Sequence, residues 1–133
     1  MTEENRKLLL KDLSSRLTYG VKIMIDKTYL TEDMIKGGYD KTQELYGITC
    51  EGNMELLNMN YHMPVESIKP YLFPISSMDK KQEKYIRSNY TFGATYELFD
   101  WLDKNHFDYR GLIEKGLAID ATNLDIYYDE ENF

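Results

Sequence analysis

Residues 67–76, SIKPYLFPIS, set two prolines four positions apart inside an apolar, partly aromatic run. Proline has no N–H to give a β-ladder, so a strand holding Pro70 and Pro74 cannot donate on both sides. The stretch therefore reads as an edge strand.

Its partners lie upstream. In YGVKIMID, Val21, Ile23 and Ile25 alternate with Lys22, Met24 and Asp26, the period of a half-buried strand. QELYGITCEGNMELLNMN sets two apolar runs on either side of Glu51-Gly52-Asn53, the pattern of an antiparallel hairpin. Between them, residues 26–43 are polar and contain Gly37-Gly38; they are too long for a tight turn, and TEDMIK within them reads as one short helical turn. The first two-thirds of the chain thus predicts a small antiparallel sheet, open or barrel-like.

Helical periodicity frames this sheet. At the N-terminus Thr2 can cap a helix, Glu3 and Glu4 suit the positive end of its dipole, and Leu9, Leu10, Leu13 and Leu17 share a face that ends before Gly20. After Ser76, Asp79 and Gln82 form a capping box for a helix over about residues 80–88. TYELFDWLDKNH sets Leu98, Trp101 and Leu102 on one face of a second. A third short helix is expected from Asp108 to just before Gly116, with Arg110 paired to Glu114, and Leu117 and Ile119 mark a last extended segment. The predicted class is α+β: an N-terminal helix, the sheet, then two or three C-terminal helices. Residues 1–120 read as one compact domain and 121–133 as an acidic tail.

Charge narrows the function. Residues 120–133 hold five carboxylates and no Lys or Arg, which leaves only −2 of the net −7 on residues 1–119. Gripping nucleic acid through its phosphates needs a cationic surface, so direct nucleic-acid binding is not expected. One cysteine, Cys50, permits no intrachain disulfide, and its apolar surroundings predict a small buried hydrophobe in a strand. With no charged-then-apolar leader and no apolar run of membrane-spanning length, a cytoplasmic, soluble protein is expected.

The densest group of reactive side chains is HFDYR, residues 106–110. His106 and Asp108 could form a general-base pair beside Arg110, but neighbours one and two apart on a helix diverge, and Asp108 reads as a cap. His62 and His106 lack any partner at metal-ligand spacing, and no nucleophile elbow, phosphate loop or dinucleotide fingerprint is present. Neither a catalytic residue nor a metal or cofactor is expected.

Aromatic side chains remain. Twelve tyrosines, five phenylalanines and a tryptophan exceed what a small core requires, and an exposed remainder points to a partner protein or a stacked planar ligand. The candidate binding residues are Tyr109, Arg110, Lys115, Tyr127 and Tyr128. The leading reading is a non-enzymatic protein-binding module. The alternatives are a module for a small anionic or nucleotide-like ligand, with Arg110 or Lys115 meeting the charge, and, third, an enzyme of unknown class. A homodimer is compatible with exposed strand edges and aromatic patches.

Three blocks, DLSSRLTYGVKI, IKPYLFPISSM and WLDKNHFDYRGLIEKGLAI, resemble small uncharacterised proteins of Bacteroides-type gut bacteria and their phages and mobile elements. Those proteins more often carry proline at the position of Thr18, arginine near Phe73, and an acidic run where this chain has Asp79-Lys80-Lys81. The resemblance implies an accessory protein that binds and disables a host component. It carries over no functional residue.

Overall fold

A computed structural model describes residues 1–56, 62–90 and 95–127. It shows an α+β fold with α1 (Glu3–Arg16), α2 (Glu32–Lys36), α3 (Lys80–Asn89) and α4 (Thr95–Lys104). Its strands are β1 (Lys22–Ile25), β2 (Gln43–Ile48), β3 (Asn53–Leu56), β4 (His62–Pro64), β5 (Ile68–Pro74), β6 (Phe107–Asp108) and β7 (Ile119–Asp120). Thr2 caps α1 by accepting from the Asn5 N–H, and Gly20 follows with φ 67°. Asp79 and Gln82 close the capping box of α3 in both directions.

The sheet is mixed and does not close into a barrel. Its order is β4-β3-β2-β1-β5-β6, with β7 also on β5; the pairs among β1–β5 are antiparallel, and β6 and β7 run parallel to β5. β2 carries a register shift between Leu45 and Gly47, which leaves Tyr46 as an extra residue turned to solvent.

β5 corrects the edge-strand expectation, because it lies inside the sheet. The Tyr71 carbonyl and the Phe73 N–H bond on one edge, to the Tyr127 hydroxyl and the His106 carbonyl, whereas the Leu72 carbonyl accepts from Ala121 on the other. Alternate residues turn to opposite edges, so β6 extends the edge that β1 leaves and β7 occupies the opposite one. Pro70 and Pro74 both turn toward the β7 edge and flank Tyr71 and Leu72, the two residues that β7 pairs with, Pro70 directly and Pro74 beyond Phe73. The missing N–H groups therefore interrupt no ladder.

Two further expectations change. Cys50 is exposed in the β2–β3 turn rather than buried in a strand, because the turn spans Thr49–Gly52, with Gly52 at φ 82°. Among the described residues no helix follows Asp108. Asp108 is the second residue of β6, and its carboxylate accepts from the N–H groups of Leu112 and Ile113, capping a single turn that Gly116, at φ 73°, ends. Bonds from Gly116 to Ile113 and from Leu117 to Leu112 complete this C-terminal lock. With no second helical turn, Arg110 does not reach Glu114 and pairs with Asp12 instead.

The described residues form two apolar cores. The larger sets Leu9 and Leu13 of α1 against Ile23, Ile25, Leu45, Met54, Ile68 and Leu72 of the sheet, with Leu112 closing one end. Each such aliphatic side chain contributes about 1.5–3 kcal/mol by leaving water. The smaller is aromatic: Trp101 stacks between Tyr85 and Phe107 at 5.7 Å on either side, with Phe73, Tyr90 and Tyr109 packed around it. Much of the aromatic surplus is spent here, holding α3 and α4 to β5 and β6.

Candidate functional site

The least ordinary feature of α1 is that Asp12 and Arg16 are wholly buried beside Leu9 and Leu13. Asp12 accepts from Arg16 Nε at 2.9 Å and from Arg16 Nη2 at 3.0 Å, a bidentate pair one helical turn apart. Arg16 Nη2 also donates to the Phe107 carbonyl at 2.6 Å, which ties α1 to β6. Arg110, arriving from the segment after β6, donates to Asp12 Oδ1 at 2.9 Å and to Ser15 Oγ at 3.0 Å.

A second carboxylate balances the two guanidinium groups. Asp103 of α4 accepts from the Tyr109 hydroxyl at 2.8 Å and from Ser15 Oγ at 3.2 Å, and lies 3.9 Å from Arg16 Nη1. Burial pushes the Asp103 carboxyl above its usual range, against the opposing pull of Tyr109, Arg16 and Ser15. Burial likewise raises the Tyr109 phenol, helped by its bond to Asp103. The cluster holds two positive and two negative groups, so its charge closes on itself.

An aromatic surface lies over this base. The Arg110 guanidinium sits 4.5 Å from the Tyr109 ring centre, and Phe99 meets Tyr109 at 4.9 Å. On the same face of α4, Phe99 is 41% exposed and Tyr96 89% exposed. The Tyr19 hydroxyl donates to Asp100 at 2.8 Å, placing a further ring beside α4. Tyr96, Phe99 and Tyr109 thus form a ring-lined surface whose floor is fixed by buried hydrogen bonds.

The candidate binding residues fall in different places. Tyr109 and Arg110 join this surface, half-buried rather than free. Lys115 is exposed on the turn after β6. Tyr128 lies outside the described residues. Tyr127 is structural: its hydroxyl accepts from the Lys22 N–H at 2.9 Å and donates to the Tyr71 carbonyl at 2.7 Å. Since Ile23 faces Pro70, Lys22 faces Tyr71, and the Tyr127 hydroxyl is inserted where a direct ladder bond would run. Its ring lies flat on His106, with centres 3.7 Å apart. The described part of the acidic segment, residues 121–127, is accordingly bound to the body.

His106 and Asp108 do not converge with Asp103 and Arg110. His106 holds a left-handed backbone, φ 64°, and faces Tyr127; burial, reinforced by Arg16 and Lys22, lowers its pKa to about 3. Asp108 is committed to its turn. Among the described residues no group of three or more His, Cys, Asp or Glu side chains is placed to hold a metal. No described helix is long and apolar enough to cross a membrane.

Sequence reasoning missed the buried cluster, although a signal was present. Asp12 and Arg16 are four apart and interleave with Leu9 and Leu13 on the buried face. An acid and a base placed on the apolar face of a helix are tolerated only when paired. The fold is α+β with an aromatic face over a buried ion cluster, and comparison of the chain with protein-family models, curated proteins and solved structures finds no match.

Proposed function

We propose that this chain is a small non-enzymatic accessory protein that works by binding another protein through the Tyr96–Phe99–Tyr109 face. One observation carries the reading: on α4 Tyr96 stands in solvent one turn from the part-exposed Phe99, and Phe99 packs on Tyr109, whose ring is held by Asp103 and Arg110. Aromatic side chains at low entropic cost on a preorganised floor are what binding hot spots consist of. The resemblance of the three sequence blocks supplies the setting of this proposal, a phage or mobile-element product acting on a host component in a bacterial cytoplasm.

The reading of a small anionic ligand draws less support, because Arg110 already gives its charge to Asp12 and only Lys115 of the two candidate cations is exposed. The test is capture from host lysate with tagged wild type and with Tyr96→Ala/Phe99→Ala, followed by mass spectrometry. Partners enriched by the wild type and lost by the variant support the proposal. Recovery of the same partners by both at equal yield removes it.

A further inference from the structure

Two features of the α4 face select the same partner chemistry. The first is charge. Glu97 and Asp100 are exposed between and beside Tyr96 and Phe99, and Asp100 stands one turn after Tyr96 on its face of the helix. The nearest exposed cation along the helix, Lys104, lies a further turn away at the opposite end from Tyr96. Arg16 and Arg110 bring no net charge, since Asp12 and Asp103 neutralise them within the floor. The second feature is the rings themselves. Their π-faces carry the negative lobe of a quadrupole, so an aromatic surface edged by carboxylates attracts a cation by two separate mechanisms.

Two neighbouring phenols are held above their usual range in part by the same carboxylates. Tyr19 is held above its usual range by its hydrogen bond to Asp100, then by burial and by the charges of Asp100 and Asp103. Tyr90 is raised by burial first, with added contributions from Tyr85, Glu97 and Asp100.

We infer that the segment docking on this face presents a cationic side chain, arginine in preference to lysine, over Tyr96 and Phe99, with Glu97 and Asp100 accepting its N–H donors. Arginine is preferred because its planar guanidinium both stacks on a ring and forks onto a carboxylate, whereas an ammonium acts as a point charge. Apolar residues beside the arginine fill the surface toward Tyr109. This inference rests on the proposed binding face and names its partner's chemistry.

The probes are short fluorescein-labelled peptides of alternating Arg/Leu, Lys/Leu and Glu/Leu composition, read by anisotropy against the whole chain. The Arg/Leu peptide is expected to bind, the Lys/Leu peptide several-fold more weakly, and the Glu/Leu peptide not at all. Glu97→Gln/Asp100→Asn and Tyr96→Ala should each weaken the Arg/Leu peptide about tenfold, the scale of one charge-assisted or cation–π contact. Glu32→Gln/Asp33→Asn on α2 removes as much charge elsewhere and should leave affinity within about twofold. Amide shifts on titration should centre on residues 95–104. Equal loss in the α2 control, shifts centred elsewhere, or tighter binding of the Glu/Leu peptide would overturn the inference. The two readings separate in the capture experiment: partners lost by Tyr96→Ala/Phe99→Ala but kept by Glu97→Gln/Asp100→Asn retain the binding face and overturn the cationic partner.

Discussion

Arg16 and Asp12 pair at 2.9 Å on α1 with neither side chain reaching solvent, and this contact fixes how the helix meets the C-terminal third of the chain. Replacing Asp12 by Asn exchanges the bidentate carboxylate on Arg16 for a neutral amide and leaves two guanidinium groups to one carboxylate in the buried cluster. Loss of one partner of a buried pair costs about 3–5 kcal/mol, a large part of a small domain's stability. Urea denaturation of Asp12→Asn should show a loss of that size. Asp12→Leu/Arg16→Met, which removes both charges, should recover part of it; no recovery would mean that packing, and not an unpaired charge, carries the effect.

Tyr127→Phe removes only the hydroxyl inserted between Lys22 and Tyr71. A buried donor and acceptor left unsatisfied cost about 1–3 kcal/mol. The variant should stay folded, lose stability in that range, and exchange the Lys22 amide faster by hydrogen–deuterium exchange. Unchanged protection of that amide would show that the hydroxyl is not part of the ladder.

His106 supplies a pH dependence with a defined sign. Its folded pKa is lowered to about 3 by burial, while in the unfolded chain it is about 6.5. Between those values the unfolded state binds the extra proton, so stability falls as the pH drops through that window, by at most about 1.4 kcal/mol per pH unit. Carboxylates titrate in the same region, so the readout is the difference between wild type and His106→Asn, a residue that also tolerates the left-handed backbone. The wild type should lose more stability than the variant between pH 6.5 and 4.5. Parallel curves would place His106 in water.

Asp108→Ala tests the turn that replaced the expected helix. Its carboxylate serves the N–H groups of Leu112 and Ile113; their loss should cost about 1–2 kcal/mol, the scale of a helix cap, and should loosen Leu112 and Leu117 by hydrogen exchange.

Local rules located most of the elements because their signals are local. Thr2, the Asp79/Gln82 box and the alternation of Val21, Ile23 and Ile25 each act within a few residues, and each stands in the fold as an element boundary or a buried face. The readings that changed depended on partners distant in sequence. Pro70 and Pro74 forbid donation on one edge only, and that β7 would seat itself between them is set by a segment some fifty residues later. Asp108 was legible as a cap, but capping does not decide whether one turn or three follow. Arg110 has a local acid in Glu114 and finds a better, buried one in Asp12. The aromatic face was visible only as a surplus of rings; which rings the second core absorbs and which α4 leaves exposed is a matter of packing.

Residues 95–110 are the surface proposed to meet a partner. The most direct measurement is hydrogen–deuterium exchange of the chain alone and in complex with whatever it captures. Protection is expected to concentrate on α4 and on Tyr109 and Arg110, with the β2–β3 turn and α2 unchanged. Protection confined to α2 or to the β2–β3 turn, with α4 exchanging as in the free protein, would contradict the proposal.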